Sequence, residues 1–333
     1  MDSLKPARGF CLLSGGLDSQ LAVAVLQAQG AQVEGIAFDS PFFNIAPARR
    51  AAQALGIALR VVDFTDAITT LIRNPEHGLG ANLNPCRDCH AAMIRQAGQM
   101  MDAAGADFVA TGEVLNQRPL SQTRRALDLV ARASGYAEVL VRPLSARLLP
   151  ETRPEREGRL DRSRLLGLEG RNRKPQMTLA EHYGIRDYPA PAGGCRLTEP
   201  NYCRRLRDLM DHEGLDNRRQ LELLRVGRHF RLPDRRKLIV GRHQADNAAL
   251  EQASADTDLL LYARDVPGPT ALAPEGAGVD TAASARMLQV LCAYADRDGN
   301  RPIQCVLRCE GQETIRSEPT ERLTRAMIGE WLV

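Results

Sequence analysis

At 333 residues, 44% hydrophobic and 26% charged, the chain has ordinary globular composition and enough apolar material for two cores. No stretch approaches the roughly 18 uninterrupted apolar residues of a membrane helix. Met1 to Arg8 lacks the basic-then-apolar order of a secretory signal, so a cytoplasmic protein with no membrane partner is expected. A formal charge of +3 is too small to announce a nucleic-acid partner, and the arginine-rich basic side is what a GC-rich genome produces. Eight cysteines in such a chain argue against a disulfide framework and for thiol or metal chemistry at some of them.

Gly9 to Leu13 is an apolar run ending in Ser-Gly-Gly, Ser19 to Gln29 has helical periodicity closed by Gly30, and Val33 to Phe38 is a second apolar run. Ala46 to Leu55 and Leu59 to Val62 repeat the pattern, which makes βαβαβ, the mark of a parallel sheet covered by helices. Asp107 to Thr111 and Val139 to Val141 are further strands. Ligands of such sheets sit outside the carboxyl ends of the strands, so the residues just after strands are candidates. Between Arg142 and Lys174 prolines interrupt the apolar pattern and basic residues outnumber acidic ones, which fits a solvated connector or an RNA-facing segment equally well. From Asn201 onward helices are expected at Tyr202 to His212 and Thr281 to Tyr294, and strands at Lys237 to Val240, Leu259 to Ala263 and Ile303 to Leu307. The expected fold class is α/β, a Rossmann-like parallel-sheet domain over 1–200 and a second, smaller α/β domain over 201–333.

Ser14-Gly15-Gly16-Leu17-Asp18-Ser19 lies between the first strand and the first helix. Glycines there let the backbone turn tightly and aim N–H groups at an anion, while the helix adds its positive end. Alone, the hexapeptide reads equally as a glycine turn with Asp18 or Ser19 near a helix start. It lacks the Gly-Lys-Ser/Thr ending of a Walker loop, which suits a leaving pyrophosphate better than phosphoryl transfer. In its strand-turn-helix setting it resembles the PP-loop of the ATP pyrophosphatases, which activate a carbonyl oxygen as its adenylate and release pyrophosphate. The resemblance implies an adenine nucleotide alpha hydrolase-like fold, with ATP and Mg²⁺. It also implies Ser14, Gly15, Gly16, Leu17 and Ser19 on phosphate, Asp18 as a metal or loop-orienting group, and Phe38 or Asp39 at the adenosine.

Thr111-Gly112-Glu113-Val114-Leu115-Asn116-Gln117, followed by Ser121-Gln122-Thr123, occupies another strand end, with Ser121 or Thr123 placed to open a helix. With Arg142-Pro143-Leu144, it closely resembles a segment of the tRNA 4-thiouridine synthetases, the ThiI family, over about residues 8–150. That resemblance implies a tRNA sulfurtransferase, with Thr111, Gly112 and Gln117 in the nucleotide site and 4-thiouridine at tRNA position 8 as product. The alternatives are 2-thiouridine formation, amide ligation on another PP-loop scaffold, and a non-catalytic RNA-binding adaptor. Many family members carry an RNA-binding domain before the loop, and some a terminal rhodanese domain with a persulfide cysteine. Neither has a counterpart here, so tRNA and sulfur are expected to be handled differently.

Cys86-Arg87-Asp88-Cys89-His90 supplies two thiols on one turn, and Cys195 follows Gly193-Gly194. A Cys-x-x-Cys fits zinc, a redox pair or an iron–sulfur cluster, and the lack of a second one disfavours a four-thiolate ribbon. Two close cysteines and one far along a PP-loop domain are similar to the pattern of cluster-dependent tRNA thiolases. This implies a [4Fe-4S] cluster on Cys86, Cys89 and Cys195, with one iron open to exogenous sulfide. A persulfide relay between cysteines and a zinc completed by His90 are the competing readings. The sulfur donor is expected to be free sulfide or a cysteine desulfurase. Cys11, Cys203, Cys292, Cys305 and Cys309 are expected to be structural.

Gly227-Arg228-His229-Phe230, Val240-Gly241-Arg242, Asp246-Asn247 and Ala263-Arg264-Asp265 read as turn chemistry at strand ends. Their order resembles the RNA-binding domain of NFACT proteins over about residues 225–310. That implies tRNA as partner, Arg228, Arg242, His243 and Arg264 as phosphate contacts, and Asn247 as a helix cap.

Overall fold

Strand β1 (Arg8–Leu12) and helix α1 (Leu17–Ala28) begin an alternating run in the computed structural model, which describes residues 6–190, 195–297 and 301–333. There follow β2 (Gln32–Asp39), α2 (Ala46–Leu55), β3 (Leu59–Asp63), α3 (Thr65–Arg73), α4 (Cys86–Ala104), β4 (Phe108–Ala110), α5 (Arg124–Ser134) and β5 (Leu140–Val141). The five strands are parallel in the order β3-β2-β1-β4-β5. Helices cover both faces, which is why Cys11, Ile36 and Val109 are wholly buried and the strands read as continuous apolar runs. The chain reverses its direction of travel across the sheet between β1 and β4. The crevice beyond their carboxyl ends is therefore the topological switch point, where such sheets hold ligands.

The stretch from Arg142 to Lys174 is not a solvated connector. It contains only the short α6 (Arg153–Arg156) and two 3-10 turns, Ala146–Leu148 and Arg162–Arg164, yet it sends Leu144, Leu160 and Leu165 into the core that also holds Leu21 and Phe108. Two of its arginines close internal ion pairs, Arg159 with Asp107 at 2.8 Å and Arg162 with Glu155 at 2.6 Å. Burial without regular structure leaves no period to read, which is why the sequence pattern gave no sign of it. Helix α7 (Lys174–His182) follows and packs on α1.

This first unit runs to Glu199 and a second extends from Pro200 to Val333. The second contains α8 (Pro200–His212), α9 (Arg218–Leu223), β6 (Arg228–Arg231), β7 (Lys237–Val240), α10 (Gln244–Ala253), β8 (Leu259–Ala263), β9 (Thr270–Ala273), α11 (Thr281–Cys292), β10 (Gln304–Cys309) and β11 (Gln312–Ser317). Its six strands form an antiparallel sheet in the order β11-β10-β8-β9-β7-β6. Residues alternate between faces along β7: Leu238 and Val240 join a core with Met287 and Leu291 of α11, whereas Ile239 joins Leu250 of α10. Among the described residues no helix is long and apolar enough to cross a membrane.

Asn247 is not the cap of α10. His243 is: its Nδ1 accepts from the Asp246 N–H at 3.2 Å. Asn247 lies inside the helix, where its Oδ1 accepts from the Thr270 N–H at 3.1 Å and ties α10 to the start of β9. The helix begins one turn earlier than an Asx cap signal placed it.

Candidate functional site

The Ser14–Ser19 loop leaves β1 at the switch point and enters α1. Gly15 has φ +78°, and a Cβ there would lie 2.3 Å from the Pro47 carbonyl carbon, so only glycine lets this turn sit on the start of α2. The serines brace the loop internally: the Gly16 N–H donates to Ser14 Oγ at 3.3 Å, and Ser19 Oγ donates to the Gly16 carbonyl at 2.9 Å. Gln20 Nε2 donates to the Gly15 carbonyl at 2.9 Å. Leu17 is buried, so only its backbone can face a ligand.

The strand-end segment after β4 is pressed onto that loop. A Cβ on Gly112 would lie 2.5 Å from the Asp18 carbonyl carbon and from the Ser19 nitrogen. Gln117 Nε2 donates to Asp18 Oδ2 at 2.7 Å, and Gln176 Nε2 of α7 donates in turn to Gln117 Oε1 at 2.9 Å. The other Asp18 oxygen, Oδ1, is buried without a hydrogen-bond partner, with Arg173 Nη2 at 3.7 Å. Arg173 Nε and Gln176 Oε1 are orphaned in the same way. Buried polar atoms are nearly always satisfied in folded chains, so three orphans clustered beside this loop leave capacity for a bound polar group. An orphaned carboxylate oxygen beside a phosphate-type loop fits Mg²⁺, a hard cation that takes oxygen ligands.

Of the two candidates after β2, Phe38 is a core residue whose ring packs edge-on against Phe64, with centroids 5.1 Å apart. Asp39, at the end of the strand, is half-buried at the crevice side. The Thr111 hydroxyl donates to Glu113 Oε2 at 3.1 Å.

Glu113 links the Ser14–Ser19 loop side of the crevice to the cysteines. It is buried, accepts from Arg142 Nε at 2.9 Å, and faces His90 Nδ1 at 3.1 Å. Burial alone would raise its pKa, but the buried Arg142 guanidinium and His90 hold the carboxyl down to about 2. His90 follows Cys89 on α4, so this network fixes the Cys-x-x-Cys turn against the strand-end segment. From that segment Arg118 and a hydrogen bond from Ser121 reach Cys86 and favour its thiolate, although burial wins and raises the thiol.

Cys195 comes to the same turn. The Leu83 N–H donates to the Leu197 carbonyl at 3.3 Å and Asn82 Nδ2 to the Thr198 carbonyl at 2.9 Å, just before Cys86. Thr198 Oγ1 donates to the Cys195 carbonyl at 2.8 Å. Cys89 is fully buried and its thiol is pushed well up, by desolvation first and then by the nearby Cys195 and Cys86. Gly193 and Gly194 lie outside the described residues. Among the described residues no group of three or more His, Cys, Asp or Glu side chains stands in a metal-ligating array, so the thiols gather without closing on a common centre. Three neighbouring thiols, one buried and two half-buried, are nonetheless the donor set of soft metal chemistry, because a cation there reverses the penalty on the thiolates.

Cys11, Cys203, Cys292 and Cys305 are buried in the cores and Cys309 is half-buried. In the second unit, Arg228, Arg242 and His243 line one cavity of about 370 Å³, together with Tyr294 and Arg325. The Arg228 and Arg325 guanidiniums lie over the Tyr294 ring, 4.7 and 4.9 Å from its centre. Arg264 is exposed and does not line this cavity, and Arg242 is paired with Asp246 at 2.6 Å. Tyr294 and Arg325 carry no motif. Nor do Arg173 and Gln176, whose only sequence signal is the Pro175 that opens α7.

Residues 6–147 match the family model described as thiamine biosynthesis protein (ThiI), and residues 227–332 match that of the NFACT protein RNA binding domain. The tRNA-specific 2-thiouridylase MnmA of Sulfurimonas denitrificans is 34% identical over 115 residues, 31% of this chain and 33% of that protein. Its counterpart in Syntrophotalea carbinolica is 36% identical over 118 residues, 30% of this chain and 32% of that protein. The chain thus spans about a third of the length of these curated relatives. A solved 4-thiouridine synthetase in complex with RNA and bound ATP is 19% identical, with a TM-score of 0.37, covering 65% of this chain and 52% of that one.

Proposed function

We propose that the chain, which joins a ThiI-type domain to an NFACT-type RNA-binding domain, is a cytoplasmic, ATP-dependent tRNA thiolase. One chain of contacts supports this reading: Gly112 packs against Asp18 and Ser19 of the PP-loop, Glu113 pairs with His90 next to Cys89, and Cys86 and Cys195 lie near Cys89. A uridine carbonyl oxygen attacks the α-phosphorus of ATP, the bond from that phosphorus to the bridging oxygen breaks, and pyrophosphate leaves. The loop N–H groups and the amino end of α1 receive phosphate oxygens. Asp18, oriented by Gln117, would offer its unpartnered Oδ1 to Mg²⁺. Phe38 shapes the wall behind Asp39, the group at the adenosine side.

Cys86, Cys89 and Cys195 would hold a [4Fe-4S] cluster, which when bound supplies an open iron site for sulfide. Hydrosulfide attacks the adenylated carbon, AMP departs with the former carbonyl oxygen, and the sulfur proton is lost to solvent. The sulfide comes from the medium or from a cysteine desulfurase. The tRNA is held through its phosphates by Arg228, Arg242, His243 and Arg264.

The favoured product is 4-thiouridine at tRNA position 8, on the strength of the Thr-Gly-Glu and Ser-Gln-Thr elements that the ThiI match spans. A 2-thiouridine product is the second reading, favoured by the similarity to the 2-thiouridylases. Nucleoside analysis of tRNA from a strain deleted for the gene separates them. Loss of 4-thiouridine alone is expected, and loss of 2-thiouridine derivatives with 4-thiouridine intact would overturn the product assignment.

A further inference from the structure

Resting on the ATP pyrophosphatase reading, we infer that Arg173 is a nucleotide-binding residue that grips the β- and γ-phosphates of ATP and then the leaving pyrophosphate. Ser14 to Ser19 contains no lysine, so a triphosphate there needs a cation from elsewhere in the fold. Arg173 is placed to be that cation. It stands at the amino end of α7, and its Nη2 is 3.7 Å from Asp18 Oδ1. That separation is too long for a hydrogen bond. Arg173 Nε and Asp18 Oδ1 are each buried and each lack a hydrogen-bond partner. The pair is therefore close enough to attract but leaves donor and acceptor capacity unused on both sides. Leaving such groups unsatisfied is costly, and the cost is offset when a ligand takes them.

The surroundings hold the guanidinium in place. Gln176, three residues further on, locks Gln117 at 2.9 Å, and Gln117 locks Asp18 at 2.7 Å. The helix that presents Arg173 thus also sets the carboxylate it faces. Arg50 Nε donates instead to Asp187 Oδ2 at 2.9 Å, and the Asp187 carbonyl accepts from Gln20 Nε2 at 2.9 Å. When Asp18 takes Mg²⁺, its hold on Arg173 weakens, and the planar guanidinium fork can close on phosphate oxygens in the bidentate manner that lysine cannot match. Negative charge grows on the pyrophosphate as its bond to the α-phosphorus breaks, so this contact strengthens in the transition state.

Equilibrium dialysis of the full chain with Mg²⁺ and, separately, ATP, inorganic pyrophosphate and AMP tests the assignment. Arg173→Gln should weaken ATP and pyrophosphate by roughly 10- to 100-fold while changing AMP by less than about 2-fold. Arg173→Lys, which keeps the charge but loses the fork, should fall between. An Arg173→Gln protein that binds pyrophosphate like the wild type, or loses AMP as much as ATP, would overturn the inference while leaving the PP-loop reading intact. Wild-type protein that binds neither ATP nor pyrophosphate would overturn both.

Discussion

Glu113 shows what one buried side chain can hold together. Its carboxylate bonds the Thr111 hydroxyl, the Arg142 guanidinium and His90, so it joins β4, the start of the 142–174 segment and α4. Its pKa of about 2 lies below the ordinary carboxylate value, so its contribution to stability is fully present above about pH 4.5 and is lost as pH falls towards 2. The shift corresponds to roughly 3 kcal/mol. Glu113→Gln should cost about 3–5 kcal/mol at pH 7, because Arg142 is left buried without its counter-charge. The acid-dependent part of the loss should vanish with it. Urea unfolding at pH 7 and pH 3 reads both effects, and a variant as stable as the wild type at pH 7 would remove the network from the account. The thiols give a second residue-scale expectation. Each of Cys86→Ala, Cys89→Ala and Cys195→Ala should bleach the visible iron–sulfur absorption of anaerobically prepared protein. Stoichiometric zinc in the wild type would replace the cluster with a structural metal.

Between elements, the decisive contact is the strand-end segment on the PP-loop. Gly112→Ala puts a methyl 2.5 Å from the Asp18 and Ser19 backbone, where no flexible side chain can give way. The two motifs must then part, at roughly 1–3 kcal/mol. ATP affinity should fall together with stability, and calorimetry of Gly112→Ala showing normal ATP binding would mean that the motifs act separately. The PP-loop and the 111–123 segment were legible in the sequence because each follows a short strand with a buried apolar centre. Helix α4 was not: its first turn is polar and its buried face is made of small residues such as Ala91, Ala97 and Gly98, which blur the helical period. Strand β9 failed similarly, since Thr-Ala-Leu-Ala lacks the β-branched and aromatic bulk that marks strands. The site itself was legible as separate motifs but not as a network. Gln117 on Asp18, Gln176 on Gln117 and His90 on Glu113 link residues far apart in the chain, and no local spacing encodes them.

At the scale of the whole molecule, the chain pairs the proposed nucleotide crevice with a separate basic cavity, and the cavity has its own prediction. In the full-length protein, Arg228→Ala and Arg325→Ala should each weaken tRNA binding across all sequences and lower the salt slope by about 1, as loss of a phosphate contact requires. Filter binding from low to moderate salt measures this, and an unchanged slope would assign the cavity to something other than phosphate. The central claim joins both halves: ATP is consumed in order to exchange a uridine oxygen for sulfur. The most direct measurement is an anaerobic reaction of the full chain with Mg²⁺, ATP, sulfide and unmodified tRNA, following pyrophosphate, AMP and thionucleosides together. The account predicts pyrophosphate, AMP and 4-thiouridine in equal amounts, all three dependent on tRNA. ATP cleavage that proceeds equally without tRNA, or with tRNA but yields no thionucleoside, would contradict it.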